Sequence, residues 1–373
     1  MAQTKSIAMN KDEAVDDTLE AIKLIYPGLF VQKDFGLIML NRERRYRVGL
    51  ISGGGSGHEP FPAGFVGEGM LTAGVVGRIF TGATIANILT AIANVAKLNR
   101  GGVLLISLNY TTDVLNFSAA MEIARSTGYN VEILVVSDDV SQVSQDMIGI
   151  GGRRGLVAIV LLIKILGGLS SEGKTLCEIV TVGRCVNQRL ATLGATFESY
   201  YLPGKNKPLF TIGKDKVELG TGMHGEPGYS QIYMPSLKEL IKEMLVKLMG
   251  YLLLEENSQI VVIVNNLGAL AQMEIHIISQ EVFHQLVDMK LKIERFYVGT
   301  LVTSLNTRGF QICILNVTNQ LQWLTYLDEG TEAYAWPGRR IAHVIKKYPP
   351  QLQCIKLDPT VLMEFCENYI SCQ

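Results

Sequence analysis

The sequence predicts an α/β protein of two domains, and three observations lead to this prediction. Short apolar runs without alternation recur along the chain, each runs into a loop of small or polar residues, and helical patterns lie between them. Such runs are typical of strands buried on both faces of a sheet, and their alternation with helices indicates parallel segments. A length of 373 residues suits two domains of ordinary size.

The first half of the chain provides three of the apolar runs and three helical segments. Strands are predicted at 47–51, 103–106 and 131–136, and helices at 84–98, 117–127 and 156–169. The last segment is predicted as a buried helix, because it is too short to span a bilayer and contains Lys164. Ligands of α/β sheets bind outside the carboxyl ends of the strands. We therefore expect the loops after the first two strands to face one crevice.

The second half of the chain has a different pattern of predicted elements, with short strands expected around two long helices. Strands are predicted at 200–202, 217–219, 260–264, 293–298 and 311–315, and helices at 237–254 and 273–290. A Pro/Gly/Lys-rich stretch at 203–208 is typical of a connecting segment. We predict domains at 1–192 and 193–345, followed by a tail at 346–373 that packs back on the first domain. A short helix is predicted within the tail, over 361–369.

Composition excludes several classes of function. The 34 basic side chains balance 35 acidic ones, for a net charge of −1. This balance gives no electrostatic case for binding nucleic acid or an anionic membrane, and favours small neutral metabolites. The six cysteines show no CxxC spacing, so neither a zinc site nor a disulfide framework is indicated. Residues 1–17 mix both charge signs without an apolar core, unlike a signal peptide. We expect a cytoplasmic protein with reduced thiols.

Two of the five histidines lie in glycine-framed loops. GGGSGHEP at 53–60 contains His58, and GTGMHGEPG at 220–228 contains His224. Flanking glycines leave each ring uncovered and turn backbone N–H groups toward the same space, and a histidine can carry protons or act as a nucleophile near neutral pH. We predict that the two halves of the chain jointly build one site around this pair. The alternative is that both histidines are structural, with His58 only capping a tight turn.

Asp113 is the third candidate. It follows the predicted strand 103–106 within the polar loop 109–116, where a catalytic carboxylate of an α/β protein would lie. Capping of the following helix is the alternative, a role that Asp fills often. Asp113 gains functional interest if it shares a crevice with His58.

These motifs, taken in order along the chain, resemble the substrate-binding K domain of dihydroxyacetone (glycerone) kinases. The matching segments are 15–17, 53–60, 67–71, 109–117, 152–155, 218–228, 265–268, 299–300 and 335–337. They extend from near Asp12 to Pro337, and several are long enough to be specific.

The resemblance implies two α/β domains with mixed sheets and flanking helices, usually in a homodimer. By that resemblance, His224 would bind a ketone covalently as a hemiaminal through its imidazole nitrogen. His58 and Asp113 would lie beside the substrate hydroxyls as acid/base and orienting groups. The backbone groups that would complete the pocket belong to Gly55, Ser56 and Gly57. Because a covalent adduct requires a carbonyl, the site would select dihydroxyacetone or glyceraldehyde over glycerol.

Four positions depart from the family pattern. Leu108 replaces a lysine, Thr112 replaces the glycine before the aspartate, Ala269 replaces a glycine, and Ile163 stands where a His-Lys pair is usual. Leu108 removes a cation that could hold a substrate hydroxyl or offset phosphate charge. Thr112 is β-branched and disfavours positive φ, so we expect it to alter the loop that presents the aspartate.

The resemblance also implies a second component. Kinases of this family bind nucleotide on a separate all-helical domain or subunit whose magnesium is held by clustered aspartates, and this sequence contains no Asp-Gly-Asp cluster. We expect the chain to bind no cofactor itself and to receive phosphoryl groups from ATP-Mg on an L-type subunit or from a phosphocarrier. The favoured function is the substrate-binding component of a glycerone kinase. The alternatives are a non-catalytic carbonyl-metabolite sensor or regulatory paralogue and, ranked last, the FAD-cyclising activity of some family members.

Overall fold

Two six-stranded sheets form the framework of the protein. The computed structural model describes residues 10–142, 152–205 and 207–338. Each sheet combines parallel and antiparallel strand pairs, and helices flank both. The predicted α/β class with mixed sheets is confirmed.

The first sheet is built from the first half of the chain. Its strands are β1 (Leu29–Gln32), β2 (Leu37–Leu40), β3 (Gly49–Ser56), β4 (Ala73–Ile79), β5 (Val103–Leu108) and β6 (Val131–Val136), and its helices are α1 (Lys11–Ile25), α2 (Ile85–Leu98), α3 (Thr111–Ser126), α4 (Ile159–Ser171) and α5 (Leu176–Asn187). The order across the sheet is β1-β2-β4-β3-β5-β6. The four strands β4, β3, β5 and β6 are parallel, so the loops after β3 and β5 open at the same edge.

The second sheet follows in the chain. Its strands are β7 (Leu190–Glu198), β8 (Lys216–Leu219), β9 (Ser230–Tyr233), β10 (Gln259–Asn266), β11 (Lys292–Gly299) and β12 (Arg308–Asn316), and its helices are α6 (Leu237–Leu252), α7 (Gln272–Asp288) and α8 (Trp323–Asp328). The order is β11-β10-β12-β7-β8-β9. Only the β10–β11 pair is parallel among the described pairs of this sheet.

Helix α4 holds the two sheets together. All of its residues except the last are buried, as the apolar run in the sequence predicts. The apolar side chains of α4 belong to one buried cluster, which also contains Leu50 of the first sheet and Ile263 and Leu315 of the second. Because each fully buried side chain of this size contributes about 1.5–3 kcal/mol, this shared core fixes how the loops of one sheet face the loops of the other.

Strand β3 extends further than the sequence indicates. The prediction ended the strand at Ile51 and began a loop at Gly53, but the ladder continues, with Gly53 opposite both Val75 and Ser107 and Gly54 opposite Val76. A Cβ on Gly53 would lie 1.9 Å from the carbonyl oxygen of Val75. The glycines therefore let neighbouring strands approach closely, and the run of apolar residues that locates the start of this strand does not extend to its glycine-rich end.

Two further expectations about elements are wrong. Helix α3 begins at Thr111, so Asp113 lies in its first turn and not in a loop, because Thr-Thr-Asp is compatible with a helix N-terminus. The predicted strand at 200–202 does not form. Tyr200 is buried there, and its hydroxyl donates to the carbonyl of His224 at 2.8 Å.

The predicted domain division stays a proposal. The boundary between 192 and 193 lies within β7, which as a whole belongs to the second sheet, so the sheets favour a division just before Leu190. The predicted tail at 346–373, with its helix at 361–369, lies outside the described residues. In the described part of the chain, no helix is both long and apolar enough to cross a membrane.

Candidate active site

The candidate site lies where loops of the two sheets meet. The first sheet contributes His58, just beyond β3, and Asp113 in the first turn of α3. The second sheet contributes the loop of His224, between β8 and β9, and the loop of Thr303, between β11 and β12. All three side chains singled out from the sequence are thus brought to one place.

The two histidines face each other through their Nε2 atoms, 3.0 Å apart. Nδ1 of buried His58 lies 2.7 Å from the carbonyl oxygen of Thr303. Because a carbonyl can only accept, Nδ1 must carry the proton. Burial, together with the charge of His224, lowers the pKa of His58 to about 3. His58 is therefore neutral in the resting site, with its Nε2 lone pair directed at His224.

The ring of His224 is held from its other side by a carboxylate. Its Nδ1 lies 3.0 Å from Oε1 of Glu226, and Oε2 of the same carboxylate accepts the backbone N–H of His224 at 3.0 Å. Burial alone would raise the pKa of Glu226, but the hydrogen bond and the charge of His224 lower it to about 2. Glu226 is thus ionised and accepts from Nδ1, which leaves Nε2 as the atom that faces the site.

The backbone around His224 is fixed by side chains from three other segments. The hydroxyl of Tyr200 donates to the carbonyl of His224 at 2.8 Å, and the hydroxyl of Ser304 donates to the carbonyl of Met223 at 2.5 Å. The hydroxyl of Tyr110 accepts the N–H of Met223 at 3.3 Å. Such contacts limit the movement of a loop that consists largely of small residues.

Arg154 anchors both ends of the same loop. It is almost fully buried, pairs with the fully buried Asp139 at 2.7 Å, and donates to the carbonyls of Gly220 at 2.5 Å and Pro227 at 3.4 Å. The guanidinium thus links the strand end after β6 to the residues on either side of His224.

Two glycines are required by close approach. Gly57 has φ +103°, and a Cβ there would lie 2.7 Å from Cε1 of Phe80. A Cβ on Gly222 would lie 2.1 Å from Oε2 of Glu226. Any larger residue would displace the ring beside His58 or the carboxylate beside His224.

Asp113 presents one carboxyl oxygen without a partner among the described residues. Its side chain is 6% exposed, and Oδ1 has no hydrogen-bond partner among the described residues. A Cβ on Gly82 would lie 2.4 Å from Oδ1, and one on Gly54 would lie 3.4 Å from Oδ2. Burial raises the pKa of Asp113 to about 6, although the charge of His224 opposes this effect. Asp113 is therefore suited to accept a proton near neutral pH.

Aromatic rings form the walls around the histidines. The ring centroid of Phe80 lies 5.0 Å from those of His58, His224 and Tyr200, and the ring of Tyr110 lies 4.6 Å from that of His224. Burial, with the Glu226 carboxylate, raises the pKa of both Tyr110 and Tyr200. Both hydroxyls therefore stay protonated, and the walls add no charge to the site.

The glycine-loop residues expected to line the pocket make hydrogen bonds or close contacts with both halves of the protein. The hydroxyl of Ser56 donates to the carbonyl of Gly77 at 2.7 Å, and the Ser56 carbonyl accepts the N–H of Phe80 at 2.9 Å. The Gly57 carbonyl accepts the N–H of Leu305 at 2.8 Å. A Cβ on Gly55 would lie 2.8 Å from the nitrogen of Thr81. Their role in binding a substrate stays a prediction.

Two of the positions that depart from the family pattern, Thr112 and Leu108, can be examined in the structure, and the expectation about Thr112 is wrong. Thr112 is a helical residue of α3, so its backbone needs no positive φ and it does not disturb the presentation of Asp113. Leu108 is buried at the end of β5, and a Cβ on Gly155 would lie 2.8 Å from its Cδ2. An apolar side chain therefore occupies the position where the resemblance expects a cation.

Sequence analysis missed several residues of the site. Glu226 could have been found, because a carboxylate two residues after a histidine can reach its Nδ1 in a tight loop. Tyr110 and Arg154 lie in the matching segments 109–117 and 152–155, but the sequence assigns them no role. Phe80, Tyr200 and Thr303 carry no local signal, because they reach the histidines only through packing of distant segments. In the described ranges, no group of three or more His, Cys, Asp or Glu side chains could hold a metal ion.

Comparison with known proteins decides the family. The profile of the Dak1 domain matches residues 21–335. The chain belongs to the Dak1 family. The chain is 40% identical over 297 residues to human Triokinase/FMN cyclase, covering 78% of this chain and 51% of that protein. The chain thus spans about half the length of the human, rat and bovine Triokinase/FMN cyclases that it matches.

Some other relatives are matched over nearly their whole length. The chain is 36% identical over 335 residues to the PTS-dependent dihydroxyacetone kinase 1, dihydroxyacetone-binding subunit DhaK, of Listeria innocua, covering 89% of this chain and 100% of that protein. Among solved structures, the dihydroxyacetone kinase operon co-activator Dha-DhaQ has a TM-score of 0.81 at 32% identity, covering 87% of this chain and 99% of that one. The dihydroxyacetone kinase from C. freundii in complex with AMP-PNP and Mg²⁺ has a TM-score of 0.82 at 30% identity, covering 95% of this chain and 63% of that one. The resemblance stated from the motifs is confirmed.

Proposed function

We propose that the chain is the substrate-binding component of a dihydroxyacetone kinase and that it captures dihydroxyacetone or glyceraldehyde covalently on His224. The observation that carries this proposal is the 3.0 Å approach of the His58 and His224 Nε2 atoms across the two sheets, beside Asp113, whose Oδ1 has no partner among the described residues. The named functions of the relatives support the substrate class.

Capture is an addition of nitrogen to a carbonyl. Nε2 of His224 attacks the carbonyl carbon, and the electrons of the C=O π bond move to oxygen, which becomes an alkoxide. His58 relays the proton that this oxygen needs: the Nε2 proton of His224 passes across the 3.0 Å contact to the lone pair on Nε2 of His58 as the N–C bond forms, and from there to the oxygen. The product is a hemiaminal that holds the substrate hydroxyls in one orientation.

Asp113 serves the second step. Phosphoryl transfer demands little covalent chemistry of a protein beyond a positioned hydroxyl and an acceptor for its proton. Asp113 accepts that proton, since its Oδ1 has no partner in the described part of the chain and burial raises its pKa to about 6. The rigid start of α3 holds the carboxylate against Gly54 and Gly82.

The phosphoryl group comes from a second component. The described residues assemble no cluster of acidic side chains for a metal ion, and the matched kinase with AMP-PNP and Mg²⁺ extends beyond the part that this chain covers. We propose that ATP-Mg on a separate L-type subunit or domain, or a phosphocarrier, delivers the group. We also propose that the chain acts in the cytoplasm as a homodimer.

A regulatory role is the second candidate. The similarity to the operon co-activator over nearly all of that protein favours it, as does buried Leu108 in place of the expected lysine. A regulator would form the adduct on His224 and would not pass it on to phosphoryl transfer.

Turnover with a supplied donor separates the two candidates. The chain is mixed with the nucleotide-binding subunit of a dihydroxyacetone kinase, ATP-Mg and dihydroxyacetone, and dihydroxyacetone phosphate is measured. A phosphocarrier system is tested in parallel. The kinase proposal predicts product that disappears with His224→Ala and persists with His276→Ala, since His276 lies exposed on α7. Adduct formation without product from either donor would favour the regulator.

A further inference from the structure

Phe80 adopts a backbone conformation that is uncommon for a residue with a large side chain. It directly follows β4 and has φ +52°, in the left-handed region, where a bulky residue is an outlier. Such a conformation persists only where the surrounding structure holds it. One restraint is the hydrogen bond from the N–H of Phe80 to the carbonyl of Ser56, at 2.9 Å. The turn after β4 therefore fixes the position of an aromatic ring.

The glycines of the first histidine loop make room for this ring. A Cβ on Gly55 would lie 2.9 Å from Cα of Phe80, and one on Gly57 would lie 2.7 Å from its Cε1. Side chains at these two positions would push Phe80 away from His58. Part of the glycine content of the loop is thus explained by the seating of Phe80.

The Phe80 ring covers one side of the histidine pair. The ring centroids of Phe80, His58 and His224 form a nearly equilateral triangle, with 5.0 Å from Phe80 to each histidine and 4.9 Å between the histidines. Phe80 stacks on His58, with 25° between the ring planes, and meets His224 edge to face. Because the two Nε2 atoms meet between the histidine rings, Phe80 fills the space on one side of their contact.

This ring is held in place although it is accessible. The buried ring of Tyr200 meets it edge to face, with the centroids 5.0 Å apart, and the Tyr200 hydroxyl donates to the carbonyl of His224. Phe80 is itself only half-buried, so its ring belongs to the wall of the site. Close packing on the covered side leaves the ring little freedom to yield.

We propose that Phe80 is a specificity-determining residue that limits the length of the carbonyl compound captured on His224. This inference rests on the proposed function. When Nε2 bonds to the carbonyl carbon, the two carbon substituents of that carbon spread into the space around the histidine pair. The side that Phe80 fills is closed to them, so a ketose longer than dihydroxyacetone meets the ring.

Length has to be recognised by shape in this class of compounds. Every carbon of a ketose other than the carbonyl carbon bears a hydroxyl group, so longer members offer all the polar groups of dihydroxyacetone. Covalent capture does not discriminate among them either, because each contains the carbonyl. A fixed wall does discriminate, since one group about the size of a methylene changes binding about 10- to 200-fold.

The test compares two ketoses that differ by one carbon. Erythrulose is dihydroxyacetone lengthened by one CHOH unit, and it is too short to close into a furanose ring, so it also presents an open carbonyl. The full chain is saturated with carbonyl-¹³C dihydroxyacetone, and unlabelled erythrulose is titrated in while the adduct signal is followed by NMR. This competition gives the ratio of the two dissociation constants.

Three variants isolate the effect of the ring. Phe80→Gly removes the ring and retains the turn, because glycine adopts φ +52° freely, and it should shift the ratio toward erythrulose by about 10-fold or more. Phe80→Leu leaves part of the bulk and should shift the ratio less, in the same direction. Phe283→Ala is the matched control. It removes a half-buried ring that packs on Phe296 at 5.5 Å beside the core of the second sheet, and it should leave the ratio unchanged.

The ratio distinguishes specificity from support. If Phe80 only supports His58, Phe80→Gly weakens the capture of both ketoses equally, the ratio stays at its wild-type value, and the inference is overturned. If Phe80→Gly captures neither ketose, Phe80→Leu decides: a ratio shifted toward erythrulose upholds the inference, and an unchanged ratio overturns it.

The wild type separates this inference from the proposed function. A wild type that captures erythrulose at least as tightly as dihydroxyacetone overturns the role of Phe80 and leaves covalent capture intact, as does an equal shift of the ratio in Phe283→Ala. If the wild type captures neither ketose, the proposed function is overturned and this inference falls with it.

Discussion

His58 and His224 lie 166 positions apart in the sequence, yet their Nε2 atoms are 3.0 Å from each other. Neither glycine loop could hold this geometry alone. The shared core around α4 fixes the two sheets, and the Thr303 and Leu305 backbone contacts to His58 and Gly57 fix the loops. The contact between the two histidines therefore depends on the packing of both sheets and on the loop contacts. Mutations in the site, in its loops and in the supporting residues test it.

Asp113→Asn is expected to raise the stability of the protein and to lower its turnover. Because burial raises the pKa of Asp113 to about 6, folding favours its protonated form. Its contribution to stability is complete below the unfolded pKa and is lost as pH rises toward the folded pKa of about 6. At pH 7 the ionised carboxylate thus destabilises the fold, and the neutral amide should raise the free energy of unfolding by roughly 1–3 kcal/mol.

The same variant should retain capture and lose turnover by about 100- to 10,000-fold, the usual contribution of a general base. Urea unfolding at two pH values and the donor-coupled assay measure the two effects. The wild-type rate should rise with pH through the pKa of Asp113, about 6. A variant with full turnover would remove Asp113 from the proton transfer.

Gly57→Ala is expected to damage both the fold and the site. The φ of +103° and the approach of Phe80 to 2.7 Å combine backbone strain with a collision, and we expect a loss of roughly 2–4 kcal/mol in unfolding free energy. Gly173→Ala is the matched control, because Gly173 has φ +85° with open space around it. It should cost about 1 kcal/mol and leave capture unchanged. Equal costs for the two variants would contradict the close approach of Phe80.

Arg154→Met should destabilise the loop of His224. It would leave Asp139, which is fully buried, with an uncompensated charge, at a cost of about 3–5 kcal/mol. Urea unfolding checks this value. The double variant Arg154→Met/Asp139→Asn should recover part of the loss in stability but not capture, because the contacts to Gly220 and Pro227 remain absent. Arg42→Met, which breaks an exposed ion pair with Glu332, should cost at most about 1 kcal/mol.

Restoring the residue expected from the family at Thr112 and at Leu108 should affect turnover differently. Thr112→Gly places glycine in the first turn of α3 and should cost a few tenths of a kcal/mol, roughly 0.3–0.5, with no gain in rate. Leu108→Lys restores a cation at the end of β5 and should raise donor-coupled turnover if the chain is a kinase component. A rate gain from Thr112→Gly would show that a helical start of α3 limits catalysis.

The parts of the site that the sequence predicts are those with local signals. His58, His224 and Asp113 each stand beside glycines or directly after an apolar strand, and strands such as 103–106 and 131–136 are found because buried parallel strands are continuously apolar. The glycine-rich end of β3 escapes that criterion, since Gly53 and Gly54 pair in the ladder without side chains.

Residues that act through packing give no such signal. Phe80, Tyr200 and Thr303 reach the histidines because α4 and the loop contacts bring separate segments together. Nothing in the spacing of Tyr200 or Thr303 distinguishes them from other tyrosines and threonines. Glu226 stands between these cases, because its position two residues after His224 indicates proximity but not which ring nitrogen it contacts.

The central claim is that Nε2 of His224 forms a bond to the carbonyl carbon of a small hydroxyketone. The most direct measurement is the NMR spectrum of protein labelled with ¹⁵N-histidine, mixed with carbonyl-¹³C dihydroxyacetone. The account predicts a tetrahedral-carbon signal that is distinct from the hydrate of the free ketone and shows one-bond coupling to ¹⁵N. That signal should be absent with His224→Ala and retained with His276→Ala. A saturated sample without such coupling, or a coupled signal that survives His224→Ala, would contradict the account.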